Sequence, residues 1–156
     1  MPTYVGVDPG ASGGIVMLDD EIRVVECTKM PATERDVMMM FRFMRPEDPV
    51  VMIEWIHPAI FGVGKSSMSK LYGNYMSLRM AIIAADLRME CVKPRAWQQA
   101  MGVTKRSKTD TGTKWKNTLK AAAQELYPDQ RVTLATADAL LIATHCYRTH
   151  SRSYHG

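Results

Sequence analysis

Thr3-Tyr-Val-Gly-Val-Asp8-Pro-Gly-Ala-Ser-Gly-Gly-Ile-Val-Met-Leu18 is the stretch on which the fold turns. Its first part alternates and is β-rich, which predicts a strand over Thr3–Asp8. Pro9-Gly10 and Gly13-Gly14 punctuate a turn, and Ile15–Leu18 reads as a second strand. Asp19-Asp20 makes a hairpin turn into a third strand, Ile22–Cys27. The first strand therefore closes on an acid, where an α/β sheet presents side chains to a crevice.

Working outward, Ala32–Met44 has helical spacing, with Val37, Met40, Phe41 and Met44 on one face, Thr33 as N-cap and Arg45-Pro46 as terminator. Val50–Ile53 is a continuous apolar run ending in Glu54, the pattern of a strand buried on both faces. Pro58, Gly62 and Gly64 mark a loop before a long helix over Ser66–Leu87. Met89–Val92 is a fifth strand, and Pro94 opens a short helix reaching Met101. After a polar loop, Gly102 to Gly112, come helices over Thr113–Leu126 and Thr136–Tyr147. The order β-β-β-α-β-α-β-α-α-α predicts an α/β protein, a mixed five-stranded sheet flanked by helices. That is the arrangement of the ribonuclease H-like fold. We expect one domain over residues 1–148 and a flexible polar tail over 149–156.

Composition limits the function classes. The chain has 156 residues, 46% hydrophobic and 23% charged, enough for one domain with a real core. It holds no run of eighteen apolar residues and no basic-then-apolar leader, so neither a membrane nor secretion is expected and the cytoplasm is the expected location (a host's cytoplasm if phage-encoded). Cys27, Cys91 and Cys146 are too widely spaced for a zinc site or a disulfide framework, and are expected as small apolar residues in a reducing compartment. Net charge is +4 and the pI about 9.0. Between Lys93 and Lys120 stand eight Lys or Arg and one acid, Asp110. Such an excess suits a phosphate backbone, although a solvated basic face has the same composition.

Three acids sit at the rims of otherwise apolar elements: Asp8, Glu54, and Asp138 in Thr-Ala-Asp-Ala-Leu-Leu-Ile-Ala. Asp and Glu oxygens suit Mg²⁺, and Mn²⁺ also, and two such ions can hydrolyse a phosphodiester without a side-chain nucleophile. Each acid has a plainer explanation. Asp138 can answer a helix dipole, and Asp8 can form a turn before proline. Glu54 is harder to account for, because an acid on so apolar a strand is expensive to bury unpaired. Gly10, Gly13 and Gly14 also suit a phosphate-binding turn of the kind used by actin-like ATPases and sugar kinases, but those proteins enclose ATP with a second domain for which this chain has no room.

The same residues resemble a known family. Val5-Gly-Val-Asp-Pro-Gly10 with Gly13-Gly14-Ile15-Val16 looks like the first strand and turn of RuvC-type Holliday junction resolvases. Met52-Ile-Glu54 looks like their second acidic strand, Ser66-Ser-Met-Ser-Lys-Leu-Tyr-Gly73 like the start of their central helix, and Val92-Lys-Pro-Arg-Ala-Trp97 like the step that follows. Ala137-Asp-Ala-Leu140, running on to Cys146, resembles their terminal acidic helix. The Pro-Arg-Ala-Trp and Ser-Ser-Met segments look closest to short phage-encoded proteins. The resemblance implies a homodimer that makes paired nicks across four-way DNA junctions, with Asp8, Glu54 and Asp138 as catalytic metal ligands. The chain departs from the family where a further Asp or His precedes the last acid; here Leu134 and Ala135 stand in that region. Asp129 and His145 are candidates by sequence proximity only, and His145 lies roughly 10 Å along the helix from Asp138.

Lys105, Arg106, Lys108, Lys114 and Lys116 are the expected DNA contacts, in a loop and at a helix start. Lys108 or Lys114 is the expected lysine near the metals. The family stacks an aromatic of the loop after its second acid at the junction centre, a role open here to Phe61 or Trp55, although Trp55 could equally fill the core. Met68, Leu71, Tyr75, Leu78 and Ile82 are expected to pack in the core, with a partner copy as the alternative. The expected activity is metal-assisted cleavage of branched DNA. The alternatives are a junction-binding protein with little or no cleavage and a broader flap or fork nuclease.

Overall fold

The computed structural model describes residues 1–59, 63–103 and 107–151. Its elements are β1 (Tyr4–Asp8), β2 (Gly14–Leu18), β3 (Val24–Lys29), α1 (Glu34–Met44), β4 (Val50–Glu54), α2 (Lys65–Ala84), β5 (Arg88–Val92), α3 (Pro94–Ala100), α4 (Gly112–Leu126) and α5 (Ala137–His150), with a 3-10 turn at Arg45–Glu47. The sheet order is β3-β2-β1-β4-β5. β1, β2 and β3 pair antiparallel, while β4 lies parallel to both β1 and β5. This is the mixed five-stranded ribonuclease H-like sheet expected from the order of elements.

Side-chain alternation along a strand divides the interior into two layers. Val5, Val7, Ile15, Met17, Val51 and Ile53 pack against α1 and α2. Tyr4, Val16, Leu18 and Met52 pack on the opposite face against α3, α4 and α5. Even-numbered positions of β1 and β4 thus face α5, which puts Asp8 and Glu54 on the α5 side at the ends of neighbouring parallel strands. Gly6 allows α5 to lie directly on β1: a Cβ there would collide with Ala139 O and Ala143 N.

Most element boundaries lie one to three residues from expectation, those of β3 and α5 among them. β3 starts at Val24 rather than Ile22, because Asp19 Oδ1 accepts from the Glu21 and Arg23 amides and prolongs the turn, leaving Ile22 at φ +62°. α5 runs through His150, beyond Tyr147 and into the region expected as tail, and His150 Nε2 lies 2.9 Å from Glu90 Oε2. Thr33 caps α1, accepting from the Asp36 amide at 3.1 Å. Met68, Tyr75, Leu78 and Ile82 are buried, the core reading of α2, while Leu71 is only partly buried against them. The three cysteines are free; Cys146 is buried and Cys27 half-buried, but Cys91 is exposed because β5 is an edge strand. Among the described residues no helix is long and apolar enough to cross a membrane.

Candidate active site

Asp8 ends β1, Glu54 ends β4 and Asp138 lies in the first turn of α5. The sheet register sets the first two side by side, since Val7 pairs with Ile53. The Gly6 contact carries the first turn of α5 to the same rim. Burial pushes the Asp8 carboxyl well above its ordinary value, and the neighbouring Glu54 and Asp138 push it the same way. Glu54 is pushed up to about 7, by burial and by Asp138, against a hydrogen bond from Trp97 that lowers it. Asp138 is pushed up to about 6 by burial, with Lys116 opposing. The three acids therefore form one electrostatic cluster.

Asp8 and Asp138 open onto a cleft of about 1170 Å³ whose walls include Gly10, Ser12, Lys70, Asn74 and Lys116. Gly10, at φ +109°, holds a backbone conformation that side chains rarely adopt, and its amide donates to Asn74 Oδ1 at 2.7 Å. The β1 turn is thereby fastened to α2, and the backbone forms the cleft floor.

The lysine that faces the acids is Lys116, whose charge acts on both Asp8 and Asp138. It is not Lys108 or Lys114. Lys114 is paired instead with Asp110 at 2.9 Å, one helical turn back. Lys108 sits in the exposed turn between Ser107 and Asp110. The α4 N-cap explains the choice: Thr111 accepts from the Lys114 amide and fixes the start of the helix, and Lys116 lies two residues on, on a different face. Phe61, Lys105 and Arg106 lie outside the described residues. Trp55 is 36% exposed, so it does not fill the core; it meets His57 edge to face at 5.4 Å and carries Lys93 Nζ 5.8 Å from its ring centre. Neither Asp129 nor His145 contributes to the cluster: Asp129 is exposed, and the charges acting on His145 are Arg148 and His150. Leu134 also lines the cleft.

Sequence reasoning missed the role of Trp97. Its ring is fully buried and its indole N–H donates to Glu54 Oε2 at 2.7 Å. The available signal was a tryptophan five residues after the end of a strand paired with the acidic one.

The donor set fits a hard divalent cation in type and charge. When ionised, the three carboxylates carry more negative charge than Lys116 and Lys70 can offset, and all the donor atoms are oxygens. Among the described residues no three His, Cys, Asp or Glu side chains stand close enough together to hold a metal ion by themselves. Magnesium does not require three, because it keeps several waters and is held by one or two carboxylates plus substrate phosphates.

No family model and no curated protein matches the chain. Solved structures do. RuvC of Thermus thermophilus in complex with Holliday junction substrate superimposes with a TM-score of 0.66 at 16% identity, over 98% of this chain and 96% of that one. Another structure of Thermus thermophilus RuvC gives 0.64 at 15% identity, over 97% and 96%. The Fowlpox virus resolvase with its Holliday junction DNA gives 0.48 at 10% identity, over 96% and 99%. At such identities the two RuvC structures establish the fold.

Proposed function

We propose that the protein is a divalent-cation-dependent endonuclease that cuts four-way junctions and related branched DNA. The observation that carries this reading is the convergence of Asp8, Glu54 and Asp138 beside a lysine-bearing cleft. The fold likeness to RuvC, one structure of which holds Holliday junction substrate, supports the choice of substrate. So does the sequence resemblance of Pro94–Trp97 and Ser66–Met68 to short phage-encoded resolvases.

Asp8, Glu54 and Asp138 would hold Mg²⁺ or Mn²⁺, which supply Lewis acidity for phosphodiester hydrolysis when bound. Lys116 offers its ammonium to the phosphate entering the cleft, as does Lys70 on the facing wall. The Gly10–Gly13 backbone admits the strand close to Asp8. Lys108 and Lys114 would extend the positive surface along the DNA, as an electrostatic footprint more than as specific readers, and Lys105 and Arg106 are further candidates by sequence. Trp55, next to Glu54 and half-exposed, is placed to stack on an unpaired base, with Phe61 as a further candidate.

A second copy completes a two-fold arrangement that suits a four-way junction. Its surface is the exposed stripe Met76, Met80 and Ile83 of α2, spaced one helical turn apart and turned away from the core residues of that helix.

The test is incubation of labelled four-way junctions with Mg²⁺ or Mn²⁺. Nicking that Asp8→Asn abolishes supports the reading; no nicking with either metal overturns it. Leu134 at the cleft wall favours a second reading, a protein that binds junctions with little or no cleavage. Tight metal-free junction binding together with a failure to cut would select it, and comparing flaps and forks at matched salt separates strict junction specificity from general branch cutting.

A further inference from the structure

We propose that Trp97 is a positioning residue for metal binding, its indole N–H fixing the Glu54 carboxylate in the orientation that receives the cation. The assignment rests on the nuclease reading and adds a residue to its machinery.

The bond follows from the sheet. Glu54 pairs with Val92 across β4 and β5, the last residue of each strand. Lys93 and Pro94 then open α3 at once, and one helical turn later Trp97 faces back toward Glu54. The indole is fully buried in the layer that holds Val92, Leu119 and Leu140, so its orientation is set by packing. A buried tryptophan N–H needs an acceptor, and here the acceptor is Glu54 Oε2 at 2.7 Å, in the short range of a hydrogen bond to a charged group.

The chemistry of the pair is one-directional. Indole nitrogen only donates, so it cannot compete for a cation. It occupies one lone pair of Oε2 and leaves Oε1 available. A glutamate at a strand end otherwise samples several rotamers, and ordering them costs free energy on metal binding. Trp97 meets that cost during folding. If the contact were only a convenient partner for a buried N–H, removing it would change stability and leave metal affinity alone.

The decisive variant keeps the ring and deletes the proton: benzothienylalanine at position 97, in which sulfur replaces the indole N–H. Trp97→Phe is its simpler companion. Mn²⁺ binding to the full chain without DNA is measured by calorimetry, alongside melting temperature and metal-free junction binding. The expected result is wild-type junction binding with Mn²⁺ affinity lower by about tenfold, the usual scale for a partner behind a metal ligand. Wild-type Mn²⁺ affinity in the folded isostere overturns the proposal and leaves the nuclease reading standing. Failure of the unmodified protein to bind Mn²⁺ overturns both. A measurement independent of any variant is the ¹H–¹⁵N indole resonance of Trp97 during Mg²⁺ titration of the unmodified protein. It should move with saturation while that of Trp115 stays, and a stationary Trp97 signal overturns the proposal.

Discussion

Glu54 and Asp138 are held protonated further up the pH scale than isolated carboxyls, to about 7 and about 6, because burial penalises their charged forms. The folded chain therefore binds more protons here than the unfolded chain between the ordinary carboxyl range and about pH 7. The sign follows: the cluster's contribution to metal-free stability is fully present at acid pH and is lost as pH rises toward 7. Glu54→Gln removes one of these charges and keeps an acceptor for Trp97. Its metal-free melting temperature should exceed that of the parent by several degrees above pH 8, at roughly 2–4 °C per kcal/mol, and match it near pH 4. Thermal melts across that range check this. Mn²⁺ should raise the parent's melting temperature at the alkaline end and leave the variant's nearly unchanged. Lysines give a second contrast. Lys116→Ala, which strips the cation facing Asp8 and Asp138, should slow single-turnover cleavage by roughly 100-fold, about 2.7 kcal/mol of transition-state stabilisation. Lys114→Ala breaks only the exposed pair with Asp110 and should change the rate by less than about threefold. The sequence reading picks Lys108 or Lys114 for this place rather than Lys116, because which lysine faces the acids depends on where Thr111 starts α4.

At the scale of elements, β1 and α5 are joined at Gly6 with no room for a methyl group. Gly6→Ala would drive a Cβ into the Ala139 carbonyl and the Ala143 amide, backbone atoms that move only if the helix moves. We expect a loss of about 3 kcal/mol or more in urea denaturation, at or above the usual range for overpacking. In any fraction that still folds, Mn²⁺ affinity should fall as well, because Asp138 retreats from Asp8. The acids at the ends of β1 and β4 were legible in the sequence because apolar strands ending in carboxylates are rare and physically expensive. The β3 start was not, since the hydrophobic Ile22 reads as strand while Asp19 has already claimed the neighbouring amides for a turn. Trp97 entered the sequence reading only within the Val92–Trp97 segment and was illegible as a partner of Glu54. That bond crosses two strands and a helix start, and spacing along one chain carries no record of it.

For the whole molecule, the layered order was readable because two hydrophobic periods, two residues in strands and three to four in helices, mark each element. Assembly beyond one chain was not, since a stripe such as Met76, Met80 and Ile83 looks the same whether it faces a core or a partner. Met80→Glu places a charge in the middle of that exposed stripe. If copies meet there, sedimentation should show the dimer shifting to monomer, with paired nicks giving way to single ones; a specific contact of this kind usually buries about 800 Å² on each side. Assembly in time also follows from the route of the chain. The three acids stand at positions 8, 54 and 138, and the last arrives only when α5 closes over Gly6. A partly synthesised chain thus lacks the crowded negative charge of the three acids. On the nuclease reading proposed above, cleavage competence would be acquired in the same step that seals the second face of the sheet, leaving no half-folded intermediate armed against DNA. Pulse-labelled hydrogen exchange during refolding should show the β1 amides and those of α5 becoming protected together; early protection of β1 alone would refute this order.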